Sequence, residues 1–377
     1  MTLRSTQVDR TSTVINFGIG QPDFDLLPLE IMQRAAQVRF MEGDAEFLNY
    51  GYEQGDGRFR QALAAFLSAG YGQGLDPAQL MITAGASQAL DLLCTLFTQP
   101  GDTIFVEEPS YFLALRILQE DHGLRAIPLA TDEQGLIPAA VEEALTRHRP
   151  KLLYTIPTFQ NPTGRTLPAD RRARLVELAQ EYGFLLVADE VYHLLHYGAP
   201  PPPPLAAWIH TGHVLSIGSF SKILAPGLRL GWVQATPAHV RRFVGSGLVD
   251  SGGGLNPFTS NLVRVALEAG WQEEYLAELR RVYAARLQTM DAALQEHLGS
   301  HAHWTTPQGG YFFWLTFSEE VDTSALLQAA LAQEVGFLPG VRCSSIGDLR
   351  NAMRLCFAHY NEDAIREGVR RLGEVLP

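Results

Sequence analysis

The chain has 377 residues, 46% of them hydrophobic, which suits a large domain plus a smaller one. Its formal net charge of -12 argues against nucleic acid or an anionic membrane as the main partner. Its three cysteines have no C-x-x-C spacing, no apolar run reaches membrane-spanning length, and the polar start lacks a signal peptide, so a reduced cytoplasmic setting is expected.

In chain order, residues 1 to 13 read as an arm. Gly18-Ile19-Gly20-Gln21-Pro22-Asp23 follows, a G-x-G with no third glycine at the dinucleotide spacing. Gly18 and Gly20 fit either a tight turn or backbone lining a site. A helix is expected over Pro28 to Met41 and an amphipathic one over Arg58 to Ala69. Tyr50 lies between them, as a packing aromatic or a functional one. LMITAG reads as a strand and ASQALDLLCTLF as a helix. The turn Gly85-Ala86-Ser87 between them offers backbone N–H groups at a helix N-terminus, an anion cradle. A strand TIFVE leads to Pro109-Ser110-Tyr111-Phe112, expected to open a helix. Strand LRAIPLA and helix AAVEEALTRH follow, then strand KLLYTIP and the turn Asn161-Pro162-Thr163-Gly164, ahead of a helix over Pro168 to Tyr182.

FLLVADEVYHLL reads as a buried parallel strand that ends in Asp189-Glu190, with Tyr192 just beyond. An aspartate leaving such a strand is costly unless it is paired, either in a salt bridge or with a ligand cation. Pro200 to Pro204 form a stiff surface loop. His193, His196, His210 and His213 lack the carboxylate or cysteine that would complete a zinc pattern, so no metal is expected. Val214 to Trp232 reads as a buried strand broken at Gly218, then Ser219, Ser221 and Lys222, a Pro226-Gly227 turn, and a second strand carrying Arg229. The chain's lysines are Lys151 and Lys222. Lys222 is either a solvated turn residue or an amine whose pKa desolvation lowers, able to condense with a carbonyl. A helix near Ala238 to Val244, a flexible loop Ser251 to Gly254, and a long helix over 271–298 come next. The Gly309-Gly310 turn opens a strand, followed by a helix over Ser324 to Gln333 and a strand near Val341. In the strand Ala352 to Phe357, Arg354 suits either a bidentate grip on a carboxylate or a salt bridge. A last amphipathic helix over Asn361 to Leu376 shows Arg366, Arg370 and Arg371 as a solvated face.

Ser219-x-Ser221-Lys222 also fits the S-x-x-K of penicillin-recognising enzymes, but these need a downstream K-T-G and no lysine follows Lys222. With the Pro-Gly turn and R-L-G-W that follow, it resembles instead the lysine signature of class I/II pyridoxal-phosphate (PLP) aminotransferases. G-x-P-D-F at Gly20, N-P-T-G at Asn161, D-E-x-Y at Asp189 and R-L-x-F at Arg354 extend the resemblance, in order, from about residue 14 to the C-terminus. G-G-Y-F-F-W at Gly309 is similar to the 2-aminoadipate/kynurenine subgroup.

The resemblance implies an α/β PLP-transferase fold of type I: a mostly parallel, seven-stranded-type sheet flanked by helices, plus a smaller α+β C-terminal domain. The corresponding division is an N-terminal arm and part of the small domain (1–45), a large cofactor domain (46–275) and a small domain (276–377), joined by the helix at 271–298. It implies that Lys222 forms a Schiff base with pyridoxal 5'-phosphate and that Ser219, Ser221, Arg229 and Gly85-Ala86-Ser87 hold the phosphate. Tyr111 stacks on the ring, Asp189 holds the ring nitrogen, and Asn161 and Tyr192 contact the phenolic oxygen. Gly20, Asn161 and Arg354 take the substrate, and Tyr50 reaches the partner subunit's cofactor in a homodimer with shared active sites. The expected reaction moves an α-amino group between an amino acid and a 2-oxo acid such as 2-oxoglutarate, in ping-pong fashion, with Lys222 as acid and base and with Asp189 and Tyr192 assisting. β-Elimination on the same fold, or a non-catalytic sensor module, are the alternatives; the sensor proteins carry an N-terminal winged-helix domain for which there is no room before Val14.

Overall fold

A computed structural model describes residues 6–9 and 11–376; the arm expected over residues 1 to 13 lies outside them at residues 1–5 and 10. The strands in chain order are β1 (Ile15–Asn16), β2 (Leu80–Thr83), β3 (Thr103–Glu108), β4 (Arg125–Asp132), β5 (Gly135–Leu136), β6 (Leu152–Thr155) and β7 (Leu185–Asp189). They continue with β8 (Val214–Ser219), β9 (Gly231–Gln234), β10 (Ala302–His303), β11 (Phe312–Phe317), β12 (Val335–Gly336), β13 (Leu338–Pro339) and β14 (Ala352–Cys356).

The main sheet runs β2-β9-β8-β7-β6-β3-β4-β5. Its central strands β8, β7, β6, β3 and β4 are parallel, whereas β9 is antiparallel to both of its neighbours. The two-residue β5 extends a seven-stranded sheet by a short hairpin edge. Successive residues feed opposite layers: Leu152 and Tyr154 join one apolar cluster while Leu153 joins another, with Phe105, Leu186 and Ala188. A strand covered on both faces must be apolar at every position, which is why these segments read as continuous runs. Helices Pro138–Arg147 and Ala169–Tyr182 pack on the second cluster, and Ala86–Phe97 on the first.

The consequence for chemistry is one shared edge. The carboxyl ends of β2, β3, β6, β7 and β8 lie there with the amino end of β9, and loops at such an edge are where open α/β sheets bind ligands. The 28-residue helix Trp271–Leu298 leads to an antiparallel sheet, β10-β11-β14-β13. The N-terminal segment belongs with that end of the chain: β1 pairs with β12, and Cys356 N donates to Phe17 O at 2.8 Å.

Several expectations are corrected. Gly218 does not break its strand but lies inside β8, directly opposite Trp232. Arg229 is not on a strand: it ends the 3-10 turn Pro226–Leu228 in the left-handed region (φ 47°), before β9 begins. The strand near Val341 is a 3-10 turn, Gly340–Cys343, the strand being Leu338–Pro339. Ser251 and Gly252 finish a short helix, Gly247–Gly252, and a Cβ on Gly253 would lie 2.8 Å from Gly51 O, so this loop is packed. In the last helix, Glu362–Gly373, Arg366 and Arg370 are exposed as expected and pair with Asp363, Glu367 and Glu374, whereas Arg371 is partly buried against Glu367.

Gly218 is required by close approach: a Cβ there would lie 2.1 Å from Trp232 Cε2, beneath a buried indole. Gly218→Ala is therefore expected to cost about 1–3 kcal/mol of stability, the usual range for overpacking. The measurement is the denaturant midpoint, and an unchanged midpoint would show that Trp232 can move aside.

Candidate active site

Asp189 is the last residue of β7, and Lys222 follows the end of the neighbouring parallel strand β8, with Asp189 in register with Ile217. The Lys222 amine donates to Gly20 O at 2.7 Å and lies 5.2 Å from the Tyr311 ring and 5.9 Å from the Tyr192 ring. Burial pulls its pKa down to about 8, since an ammonium loses hydration there; nearby Cys356 and Asp189 oppose the shift, and Arg354 and Arg229 add to it. At Asp189, Oδ2 accepts from Tyr154 OH at 2.8 Å, while the buried Oδ1 has no hydrogen-bond partner among the described residues. Burial pushes this carboxyl up to about 6; the Tyr154 hydroxyl, the Val191 amide and the Lys222 charge pull the other way.

A small-residue cradle lies at the same edge. Gly85 (φ 90°) precedes the helix Ala86–Phe97, and a Cβ on it would come 2.6 Å from Arg229 Nη2. That nitrogen donates to Ala84 O at 3.2 Å, and the side-chain amide of Asn256 donates to Arg229 O. Ser219 Oγ accepts from Ser221 N at 3.1 Å and donates to Ser221 Oγ at 3.0 Å. Ser87 and Arg229 are exposed. A guanidinium, two hydroxyls and a helix N-terminus thus converge on a space that larger residues would fill.

On the other side of Lys222, Arg354 is 2% exposed in the middle of β14. Its Nη1 donates to Asn161 Oδ1 at 2.9 Å and its Nη2 to Gly18 O at 2.8 Å, while its buried Nε has no partner among the described residues. The guanidinium lies 4.2 Å over the Phe312 ring, and a Cβ on Gly20 would meet both Phe312 and Arg354. Tyr111 precedes the helix Phe112–Arg116, and burial, with Asp189 nearby, pushes its phenol up to about 12.

The fold therefore gathers Gly20, Asn161, Asp189, Tyr192, Lys222 and Arg354 on one side and Gly85, Ala86, Ser87, Ser219, Ser221 and Arg229 on the other. Tyr50 stands apart, 80% exposed on the surface. Two aromatics escaped the sequence reading. Tyr154, which bonds Asp189, is the polar ring in an otherwise aliphatic run, and its register with Val187 puts it on the Asp189 face of the sheet. Tyr311, whose hydroxyl donates to Lys222 O at 3.1 Å, follows the Gly309-Gly310 turn.

Solved structures place the fold among the aminotransferases. A Pyrococcus horikoshii kynurenine aminotransferase, solved with PMP, is 35% identical and superposes with a TM-score of 0.90 over 97% of this chain and 91% of that one. LysN, the α-aminoadipate aminotransferase of Thermus thermophilus, complexed with N-(5'-phosphopyridoxyl)-L-leucine, is 33% identical with a TM-score of 0.87 over 96% and 92%. The aromatic-amino-acid aminotransferase 1 of Thermococcus litoralis is 36% identical over 97% of this chain and 88% of its own. The sequence profile of aminotransferase class I and II matches residues 12–372, and the chain belongs to that family. It is a transaminase, acting on amino acids and keto acids.

Proposed function

We propose that the two clusters divide the work, one holding the cofactor and the other the substrate carboxylate. The cofactor is pyridoxal 5'-phosphate, and the observation that carries its placement is Asp189 Oδ1: a buried carboxylate oxygen with no hydrogen-bond partner among the described residues, near a part-buried lysine, fits a pyridinium N–H. When bound, the cofactor supplies an aldehyde for amine capture and a ring that draws electrons from the substrate's Cα.

The chain's own residues do the rest. Gly85, Ala86, Ser87, Ser219, Ser221 and Arg229 hold the phosphate, and Tyr111, Asn161 and Tyr192 hold the ring. Lys222 Nζ would hold the cofactor's aldehyde carbon and, as a free amine, would take the α-proton and return it. In the cofactor-free protein its lowered pKa leaves a useful neutral fraction near pH 8 to capture an aldehyde. Arg354, anchored by Asn161 and Gly18 O, grips the α-carboxylate and turns the Cα–H bond toward Lys222. The amino acceptor is 2-oxoglutarate, and the turnover is ping-pong. The exposed Tyr50, with Leu48, Tyr52, Met41 and Leu248 also exposed, supports a homodimer in which Tyr50 of the partner subunit completes each site. Three buried free cysteines fit a cytoplasmic location. The domain division is 1–45, 46–275 and 276–377, supported by the pairing of β1 with β12.

Amino donors tested against 2-oxoglutarate, followed by the cofactor's absorbance, decide the substrate pair; no spectral change with any donor would refute transamination. Arg354→Ala removes charge-assisted bonds to the carboxylate, so KM should rise about 10- to 100-fold for donor and acceptor alike. Unchanged KM values would take Arg354 out of the site.

A further inference from the structure

One buried acid has no part in the mechanism above. Glu107 is 2% exposed in β3. Its Oε1 accepts from Thr155 Oγ1 at 2.7 Å, and its Oε2 accepts from Ile156 N and from Gln160 Nε2, both at 3.1 Å. Gln160 spends the remainder of its amide on the loops that shape the site. Nε2 also donates to Pro109 O at 2.8 Å, two residues before Tyr111, and Oε1 accepts from Thr163 N at 2.9 Å and Thr163 Oγ1 at 2.6 Å. The turn so wrapped contains Asn161, whose Oδ1 holds Arg354 Nη1.

We propose that Glu107 is a positioning residue for the transamination: acting through Gln160, it fixes the turn that presents Asn161 to the cofactor and to Arg354. The chain of contacts has no slack. Asn161 lies next to Gln160 in sequence, and every polar atom of the Gln160 side chain is bound, to β3 and its loop on one side and to the turn on the other. Burial pushes the Glu107 carboxyl up to about 7, with Thr155, Ile156 and Gln160 pulling it back and Asp189 pushing further. A buried acid that costs stability yet supports the segments before Tyr111 and Asn161 is explained by placement more than by stability. The inference rests on the assignment of Asn161 made above.

The test is a double-mutant cycle on the holoenzyme. Glu107→Leu removes all three acceptor contacts at similar volume. Glu107→Gln keeps an acceptor for Ile156 and Gln160, because the Thr155 hydroxyl can reverse its direction. Two quantities are read: KM for the best amino donor, and the pH titration of the bound cofactor's visible absorbance, which a purely structural role would leave in place. Asn161→Ala and Glu107→Leu should each raise KM about 10-fold and shift the titration in the same direction, the scale of one lost hydrogen bond to a charged group. Glu107→Gln should stay near the parent protein. The double variant Glu107→Leu/Asn161→Ala should be no worse than Asn161→Ala alone, because residues acting through one another do not add. Additive losses, or an unshifted titration in Glu107→Leu, overturn the relay while leaving the role of Asn161 standing. An Asn161→Ala variant that behaves like the parent protein overturns both. If Glu107→Leu fails to fold, Gln160→Leu makes the same test, since it leaves Glu107 bound to Thr155 and Ile156.

Discussion

Lys222→Ala is expected to lower turnover by at least about 10⁴-fold, because in the proposed mechanism one nitrogen serves as both covalent anchor and proton carrier. The protein should also lose the visible absorbance that a covalently held cofactor gives. The geometry predicts how the loss divides. The proposed phosphate cradle of Gly85, Ser219 and Arg229 does not include Lys222, so the variant should still bind the cofactor, reversibly and with its free-aldehyde spectrum. Lys222→Arg is the sharper control. Arginine preserves the cation beside Tyr192 and Tyr311, but its guanidinium stays protonated and cannot act as base. If charge alone mattered, Arg would rescue; if the neutral amine matters, Arg should be as inactive as Ala. The pH profile adds a sign. With the free amine at about pKa 8 in the cofactor-free protein, its neutral form grows as pH rises through 8, so reconstitution by capture of the cofactor aldehyde should speed up over that interval. A variant that stayed coloured with unchanged turnover would remove Lys222 from the chemistry.

The proposed site is legible in the sequence where its residues lie close together in the chain. Ser219, Ser221 and Lys222 form one short run, Asn161 opens one turn, and Asp189 ends one apolar strand, and the resemblance of these short runs to aminotransferase motifs marks them. Contacts that cross between strands left no such trace. Tyr154 meets Asp189 only because β6 lies beside β7, and Glu107 meets Gln160 only because β3 lies beside β6; the apolar runs reveal that strands exist but not their order. The misplaced Arg229 has a local cause. R-L-G-W alternates like a strand, but Arg229, two residues before β9, takes a left-handed conformation that brings its guanidinium to Gly85, and polarity patterns carry no signal for a positive φ in arginine. Gly218 misled for the opposite reason: glycine usually ends a strand, but here it makes room for the indole of Trp232 within one.

Asp189→Asn should reduce turnover by roughly 10²- to 10³-fold, the scale seen when one preorganised charge or donor is removed from a buried site. In the proposed site the carboxylate keeps the ring nitrogen protonated; an amide of the same shape offers no charge to do so, and the ring would draw electrons less strongly. The fold should survive, because an amide oxygen can still accept from Tyr154 OH, as Oδ2 does now. Stability then gives an independent signature. Burial holds the folded-state pKa of Asp189 at about 6, above its unfolded value, so folding favours the protonated acid and the ionised form is a liability in the cofactor-free protein. That liability is fully present above pH 6 and vanishes as pH falls through the unfolded carboxylate range. The cofactor-free Asn variant should therefore melt higher than the parent protein at pH 7.5, and the gap should close by pH 4. With cofactor bound the order should reverse, since only the parent protein gains the ion pair. Tyr154→Phe separates the pair: it removes one hydrogen bond from Asp189 without removing charge, and should cost about 5-fold in turnover. If Asp189→Asn melted lower than the parent at pH 7.5 without cofactor, Oδ1 too would have a protein partner, and its pairing with the ring nitrogen would fall.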